Sequence, residues 1–221
     1  MAKGLASSLP CLIVGLTGGI ATGKSTVCGM FRELGAVTLD ADSVAHDLLL
    51  PEGTGVEAVR KAFGDQLLDA SGGIDRAQLG AIVFRQARRR AELESILHPL
   101  IAEESERRLA RWIAESGARI AIYDAALLVE TGRYRDFDRL IVVTAPVSVQ
   151  IGRLTSGRGL SREEATARLS AQWPLEKKAA VADYVIDTGG EMAVTRRQVS
   201  DVFLRLEADA DAKARRLERR H

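Results

Sequence analysis

Cys11-Leu12-Ile13-Val14-Gly15-Leu16-Thr17-Gly18-Gly19-Ile20-Ala21-Thr22-Gly23-Lys24-Ser25 runs from an apolar stretch through a glycine-rich turn into the start of a helical pattern. Residues Gly18 to Ser25 fit G-x-x-x-x-G-K-[ST], and the order strand, loop, helix is the context that gives this motif its meaning. Glycines let the backbone coil without a Cβ clash, so successive N–H groups can converge on phosphate oxygens. The N-terminus of the following helix adds partial positive charge at the same place. Lys24 can reach the outer phosphates, and the Ser25 hydroxyl can serve Mg²⁺. The pattern implies a nucleoside triphosphate ligand and leaves open what is done with its phosphate.

The rest of the chain extends that start into an α/β fold. Ala36-Val37-Thr38-Leu39, Arg119 to Asp124, Arg139 to Thr144 and Tyr184 to Asp187 read as further strands, alternating with helical stretches. Five short strands with intervening helices predict a parallel sheet wrapped on both faces. Ligands of such sheets collect at the carboxyl ends of the strands, where Thr17, Asp40, Asp124 and Thr144 fall. Between strands 2 and 3 the pattern is helical throughout. Ser43 to Leu50 stops at Pro51, Thr54 with Glu57 has capping-box form, and a helix from about Asp75 to Phe84 follows. Leu93, Ile96, Leu97, Leu100, Ile101, Leu109, Trp112 and Ile113 then mark one long stripe, with Pro99 as either a kink or the first turn of a new helix. The domain reading is a core at about 11–50 and 117–205, a helical lobe at about 51–116 and a lid at about 150–178. A charged tail at about 209–221 reads as frayed or disordered.

Composition narrows the partners. A net charge of +1, with acids and bases interspersed, gives no basic stripe for nucleic acid. No apolar run approaches the roughly 20 residues of a spanning helix, and residues 1–10 read as a loose leader without a signal-peptide core. Cys11 and Cys28 lack zinc or redox spacing and read as small buried residues of a reducing compartment, the cytoplasm.

Three features bear on the reaction. Asp40-Ala41-Asp42 follows strand 2, so Asp42 can either accept a proton from an attacking hydroxyl or cap the next helix. Asp124 ends a central strand, as a carboxylate serving Mg²⁺ directly or through water does, and as a simple turn residue also does. Arg153, Arg158 and Arg162 surround a glycine-bracketed turn between two helices, the second capped by Ser161 and Glu164. Such a segment can close over a nucleotide, exclude water and bring guanidinium groups to the transferring phosphoryl; a solvated helix hairpin has the same sequence pattern. A kinase for another small alcohol and a nucleotide switch both fit a phosphate loop, but the chain has no guanine-reading N-K-x-D.

Taken together, Leu16 to Thr26, Asp40-Ala41-Asp42 with Ala45-His46, and His98-Pro99-Leu100-Ile101 resemble the dephospho-CoA kinase family. So do Leu127-Leu128-Val129-Glu130, Gly159-Leu160-Ser161 with Glu164-Ala165 and Arg168, Ala171-Gln172, and Ala182 to Asp187. The resemblance runs from about residue 12 to about 205. It implies a three-layer P-loop kinase fold, with a five-stranded parallel sheet, a helical substrate lobe and a lid. It also implies transfer of the γ-phosphoryl of MgATP to the ribose 3′-hydroxyl of dephospho-CoA. Carried over by position, it assigns ATP to Gly19, Ala21, Thr22, Gly23, Lys24, Ser25 and Thr26, and Mg²⁺ to Ser25, which the strand-end Asp124 joins directly or through water. Asp42 and His46 fall on the acceptor side; Asp42, Lys24 and Arg158 carry catalysis. A cytoplasmic monomer or small homo-oligomer is the expected state, without nucleic-acid or membrane partners. Three positions depart from the family pattern: Ala126 where proline is usual, Gly157-Arg158 where the lid arginine is one place earlier, and Thr188 where asparagine is usual.

Overall fold

The computed structural model describes residues 9–219, apart from the side chain of Arg158. Most of the expected leader lies outside the described residues. The chain divides into two compact units, Met1–Leu39 with Leu109–His221, and Asp40–Arg108.

In the first unit β1 (Leu12–Gly18) is buried along its whole length because it has strands on both sides and helices on both faces. It runs parallel to β3 (Ile120–Asp124) on one side and to β4 (Arg139–Thr144) on the other. The edges are β2 (Val37–Asp40), beside β3, and β5 (Tyr184–Asp187), parallel to β4, giving the order β2-β3-β1-β4-β5. Alternate residues Leu12, Val14 and Leu16 join Ile120, Ile122, Ile141, Val143 and Ile186 on one face. Against them pack Val27, Cys28, Met30 and Phe31 of α1 (Lys24–Glu33). Val199, Val202, Leu206 and Ala210 of the C-terminal helix complete that layer. On the opposite face the Tyr123 and Phe137 rings lie 5.1 Å apart. Both cysteines are free and buried, as their spacing predicts.

The charged tail departs from its sequence reading. The C-terminal helix, Met192–Glu218, continues well past residue 209 because its charges find partners on the sheet. Asp209 accepts from Arg139 Nε at 2.8 Å and Nη2 at 2.7 Å, and from the Tyr184 hydroxyl at 2.8 Å. Burial is the largest influence on that carboxylate and acts to raise its pKa. The hydrogen bonds from Arg139 and Tyr184 outweigh it and hold the group below the usual range. Lys213 Nζ donates to Cys11 O at 2.8 Å and to Asp138 Oδ2 at 2.7 Å, and Asp138 Oδ2 also accepts from Ile13 N. The final residues, 220 and 221, lie outside the described part.

The second unit is helical and spans Asp40–Arg108, where the sequence reading has a helical lobe at about 51–116. Helix α2 (Ala41–Asp47) belongs to it because its residues are tied there. Asp47 pairs with Arg108 at 2.7 Å, Leu49 O accepts from Ile74 N, and Leu49 lies in the apolar cluster of Val59, Phe63, Leu67, Ile74, Leu79 and Leu97. Helix α3 (Val56–Phe63) has Gly55 as its N-cap without a side-chain bond, so the Thr54–Glu57 capping box does not form. Glu57 instead pairs with Arg60. Helix α4 (Arg76–Arg85) is capped by Asp75, which accepts from Ala77 N and Gln78 N. Helix α5 (Ala87–Ser116) runs through Pro99 without ending, so the long stripe is one helix. Among the described residues no helix is long and apolar enough to cross a membrane.

Within that unit Glu104 accepts from both Arg107 and Arg108 at 2.6 Å. The hydrogen bond from Arg107, helped by Arg108 and opposed by burial, brings its pKa down to about 2 from an ordinary 4.5. A carboxylate depressed on folding stabilises the fold above its unfolded pKa and loses that contribution as pH falls through the folded value. Glu104→Gln is therefore expected to lower the melting temperature at neutral pH. The gap from the unsubstituted protein should narrow as pH falls from about 4.5 to about 2. Thermal denaturation across that range checks it, and a gap as wide in acid as at neutrality contradicts it.

Candidate active site

The phosphate loop is held in shape from outside. Gly23 sits at φ 84° and ends the loop as the N-cap of α1, and Ala21 also takes a left-handed φ of 57°. A non-glycine residue there costs on the order of 1–2 kcal/mol, a strain that points to function. At Gly18 a Cβ would lie 2.5 Å from Val143 O, so only glycine permits the loop to leave β1 this close to β4.

Five consecutive carbonyls of the loop accept hydrogen bonds. Gly18 O takes one from Lys178 Nζ (3.3 Å) and Gly19 O from Thr22 Oγ1 (2.9 Å). Ile20 O takes one from Gln150 Nε2 (2.7 Å), Ala21 O from Arg153 Nη1 (3.1 Å) and Thr22 O from Thr188 Oγ1 (2.6 Å). A planar trans peptide points its N–H opposite its C=O, so the amides of Ala21 and Gly23 are turned away from these partners. Lys24, Ser25 and Thr26 add first-turn amides that have no acceptor within the helix. No side chain caps α1 and its first turn has no acid, so nothing of its own competes with an anion. Lys24 is half-buried at this end, with Ser25 and Thr26 exposed. Outward-tied carbonyls, inward amides and a lysine make an anion cradle of the kind that grips phosphates.

Asp124 ends β3 in register with Leu16, at the same edge of the sheet as the loop. Its Oδ2 lies 3.7 Å from Cys28 Sγ on α1. Burial, with the adjacent Asp124 charge, pushes the Cys28 thiol far above its ordinary pKa, so it stays protonated and donates to the carboxylate. Among the described residues no group of three or more His, Cys, Asp or Glu is placed to hold a metal.

The acidic pair after β2 resolves one alternative. Asp40, and not Asp42, is the N-cap of α2, accepting from Asp42 N at 2.9 Å and Ser43 N at 3.3 Å. Asp42 is exposed in the first turn of that helix. One turn on, His46 Nδ1 is 2.9 Å from Arg76 Nη1. A guanidinium only donates, so Nδ1 is the acceptor and Nε2 carries the proton of the neutral ring.

The arginine segment comprises α6 (Val147–Arg158) and α7 (Arg162–Ser170), joined through Gly159 at φ 64°. The Ser161–Glu164 capping box forms as predicted, with bonds of 3.1 and 2.8 Å. The Arg158 side chain lies outside the described residues. Arg153, one of the three arginines of this segment, has its guanidinium on Ala21 O, Thr188 Oγ1 and Thr188 O.

A family model for dephospho-CoA kinase matches residues 12–194. The chain belongs to the dephospho-CoA kinase family. It is 43% identical over 201 residues to a dephospho-CoA kinase of Frankia casuarinae, covering 91% of this chain and 86% of that one. The solved structure of TT1252 from Thermus thermophilus superposes with a TM-score of 0.74 at 30% identity, over 89% of this chain and 98% of that one. That of a dephospho-CoA kinase from Campylobacter jejuni gives 0.58 at 27% identity, over 90% and 98%. Two departures from the family pattern now have a physical reading. Thr188, where the family has asparagine, hydrogen-bonds both Thr22 O and Arg153. Ala126, where it has proline, contributes a backbone carbonyl, which accepts from Thr17 Oγ1 at 2.9 Å whatever the side chain. Nothing in the local sequence marks Gln150, Gln172, Lys178 or Thr188 as holding the loop. Gln172, whose Oε1 accepts from Ile20 N at 2.7 Å, stood in a family motif, but Lys178 looks in sequence like its exposed neighbour Lys177.

Proposed function

We propose that this protein transfers the γ-phosphoryl group of ATP to the ribose 3′-hydroxyl of dephospho-CoA, giving coenzyme A and ADP. The observation that carries the reading is the loop whose carbonyls are tied outward, in a chain of this family. The loop from Gly19 to Thr26 holds the triphosphate tail through the amides not engaged within the fold, and Lys24 sets its charge against the outer phosphates. Asp42 takes the proton of the 3′-hydroxyl as its oxygen attacks the γ-phosphorus, and the bond to the β-phosphate oxygen breaks. His46 contacts the acceptor, and Arg158 in the lid meets charge on the moving phosphoryl.

Magnesium fits the donors on this sheet edge, since the Ser25 hydroxyl and the Asp124 carboxylate are hard oxygen ligands. Ser25 would hold the ion directly and Asp124 directly or through water. When bound, the ion neutralises charge on the phosphate oxygens. The protein works as a cytoplasmic monomer or small homo-oligomer, with ATP and dephospho-CoA as its small-molecule partners.

Incubation with MgATP and dephospho-CoA tests this reading. The expected product is dephospho-CoA heavier by one phosphate, formed with equimolar ADP and far faster than from other nucleotides or small alcohols. ADP release that does not depend on dephospho-CoA, or no uptake of ATP with magnesium, overturns it.

A further inference from the structure

Lys178 lies on α8 (Leu175–Ala179), at the end of the segment read as the lid, and its side chain is about 1% exposed. Lysines are rarely enclosed to this extent, because the ammonium loses its hydration. Here its three donors meet three acceptors: Glu130 Oε1 at 2.6 Å, Ala126 O at 3.1 Å and Gly18 O at 3.3 Å. Glu130 is mostly buried, at about 15% exposure, and its Oε2 has no hydrogen-bond partner. A pair of buried charges with one oxygen unsatisfied is a poor device for stability, since apolar residues of like volume serve a core as well or better. Its placement suggests another use.

Gly18 opens the phosphate loop, and Ala126 stands two residues beyond Asp124. Leu16 O accepts from Ala125 N, and Thr17 Oγ1 donates to Ala126 O, so two bonds already tie the exits of β1 and β3. Lys178 is the third tie and the one that reaches the loop itself. The same segment touches the loop twice more: Gln172 accepts from Ile20 N, and Leu175 packs against Gly19.

We propose that Lys178 is a positioning residue: its ammonium, neutralised by Glu130, clamps the Gly18 and Ala126 carbonyls and so fixes the phosphate loop relative to the Asp124 strand end. Loss of the clamp lets the loop amides relax away from their converging arrangement. Misplacement by about 1 Å far from the chemistry can cost about a hundredfold in rate. The inference rests on the loop being the ATP site.

The test replaces both charges together, because Lys178→Met alone strands a buried carboxylate and can unfold the chain. Lys178→Met/Glu130→Gln is expected to melt at or above the temperature of the unsubstituted protein. Its affinity for ADP without metal, read by calorimetry, should fall about tenfold. Its kcat with MgATP and dephospho-CoA should fall about a hundredfold, with the KM for dephospho-CoA changed less than about threefold. Lys178→Met/Glu130→Met serves as a second variant should the first not fold. Unchanged ADP affinity and kcat in a folded double variant overturn the proposal. So does failure of both to fold, which would make the pair a folding determinant. An unsubstituted protein that binds ADP but does not phosphorylate dephospho-CoA defeats the functional reading, while the loss of ADP affinity still decides Lys178.

Discussion

Lys24→Ala is expected to lower turnover by about two to three orders of magnitude, the scale for losing one preorganised charge contact to a transition state. The lysine is the first residue of α1 and half-buried beside amides that nothing else caps. Its charge adds to a field that the backbone already provides, so ATP binding should weaken less than the rate of transfer. The amides keep their direction in the variant, because their opposite carbonyls are held by Gln150, Arg153 and Thr188 and not by Lys24. Dephospho-CoA-dependent ADP release, measured beside calorimetric ADP binding, separates the two effects. A rate within tenfold of the unsubstituted protein would show that the cradle stabilises the transferring phosphoryl without this side chain.

Asp42→Asn should abolish most transfer, by about two to four orders of magnitude, while ATP affinity stays nearly intact. Asparagine has the shape of aspartate but cannot take the proton of an attacking hydroxyl. The fold should tolerate the change well, since the cap of α2 is Asp40 and Asp42 is exposed. Loss of rate in this variant is then a loss of chemistry and not of the helix, which circular dichroism can verify. Full activity would remove Asp42 from the mechanism and leave the proton to another acceptor.

What the sequence revealed follows from the range over which each feature is encoded. The loop is legible because its parts are consecutive: an apolar run, glycines that permit left-handed turns, and a lysine and serine opening a helix. The capping box at Ser161 and Glu164 is legible for the same reason, as are strands that read as unbroken apolar runs because both their faces are covered. The Thr54–Glu57 pattern shows the limit of local signals. The helix there starts after Gly55, its N-cap, whose amide donates back to Leu48 O, a contact formed only when the chain folds on itself.

The charged tail differs from its sequence reading on a physical ground. A stretch charged all round reads as solvated, yet Asp209 and Lys213 are ordered by Arg139, Tyr184 and Asp138, each far away in the chain. Arg153 reads as one of three arginines around a turn, and only the fold places its guanidinium on Ala21 O and Thr188 O. Sequence alone determined the parallel sheet, the phosphate loop and the family pattern, because apolar runs, glycines and caps act on neighbouring residues. Tertiary structure decided which charges are buried, which carbonyls are tied and so which amides remain for a ligand. A hydrogen bond between residues more than a hundred positions apart, such as Lys178 to Gly18, leaves no mark on either local stretch.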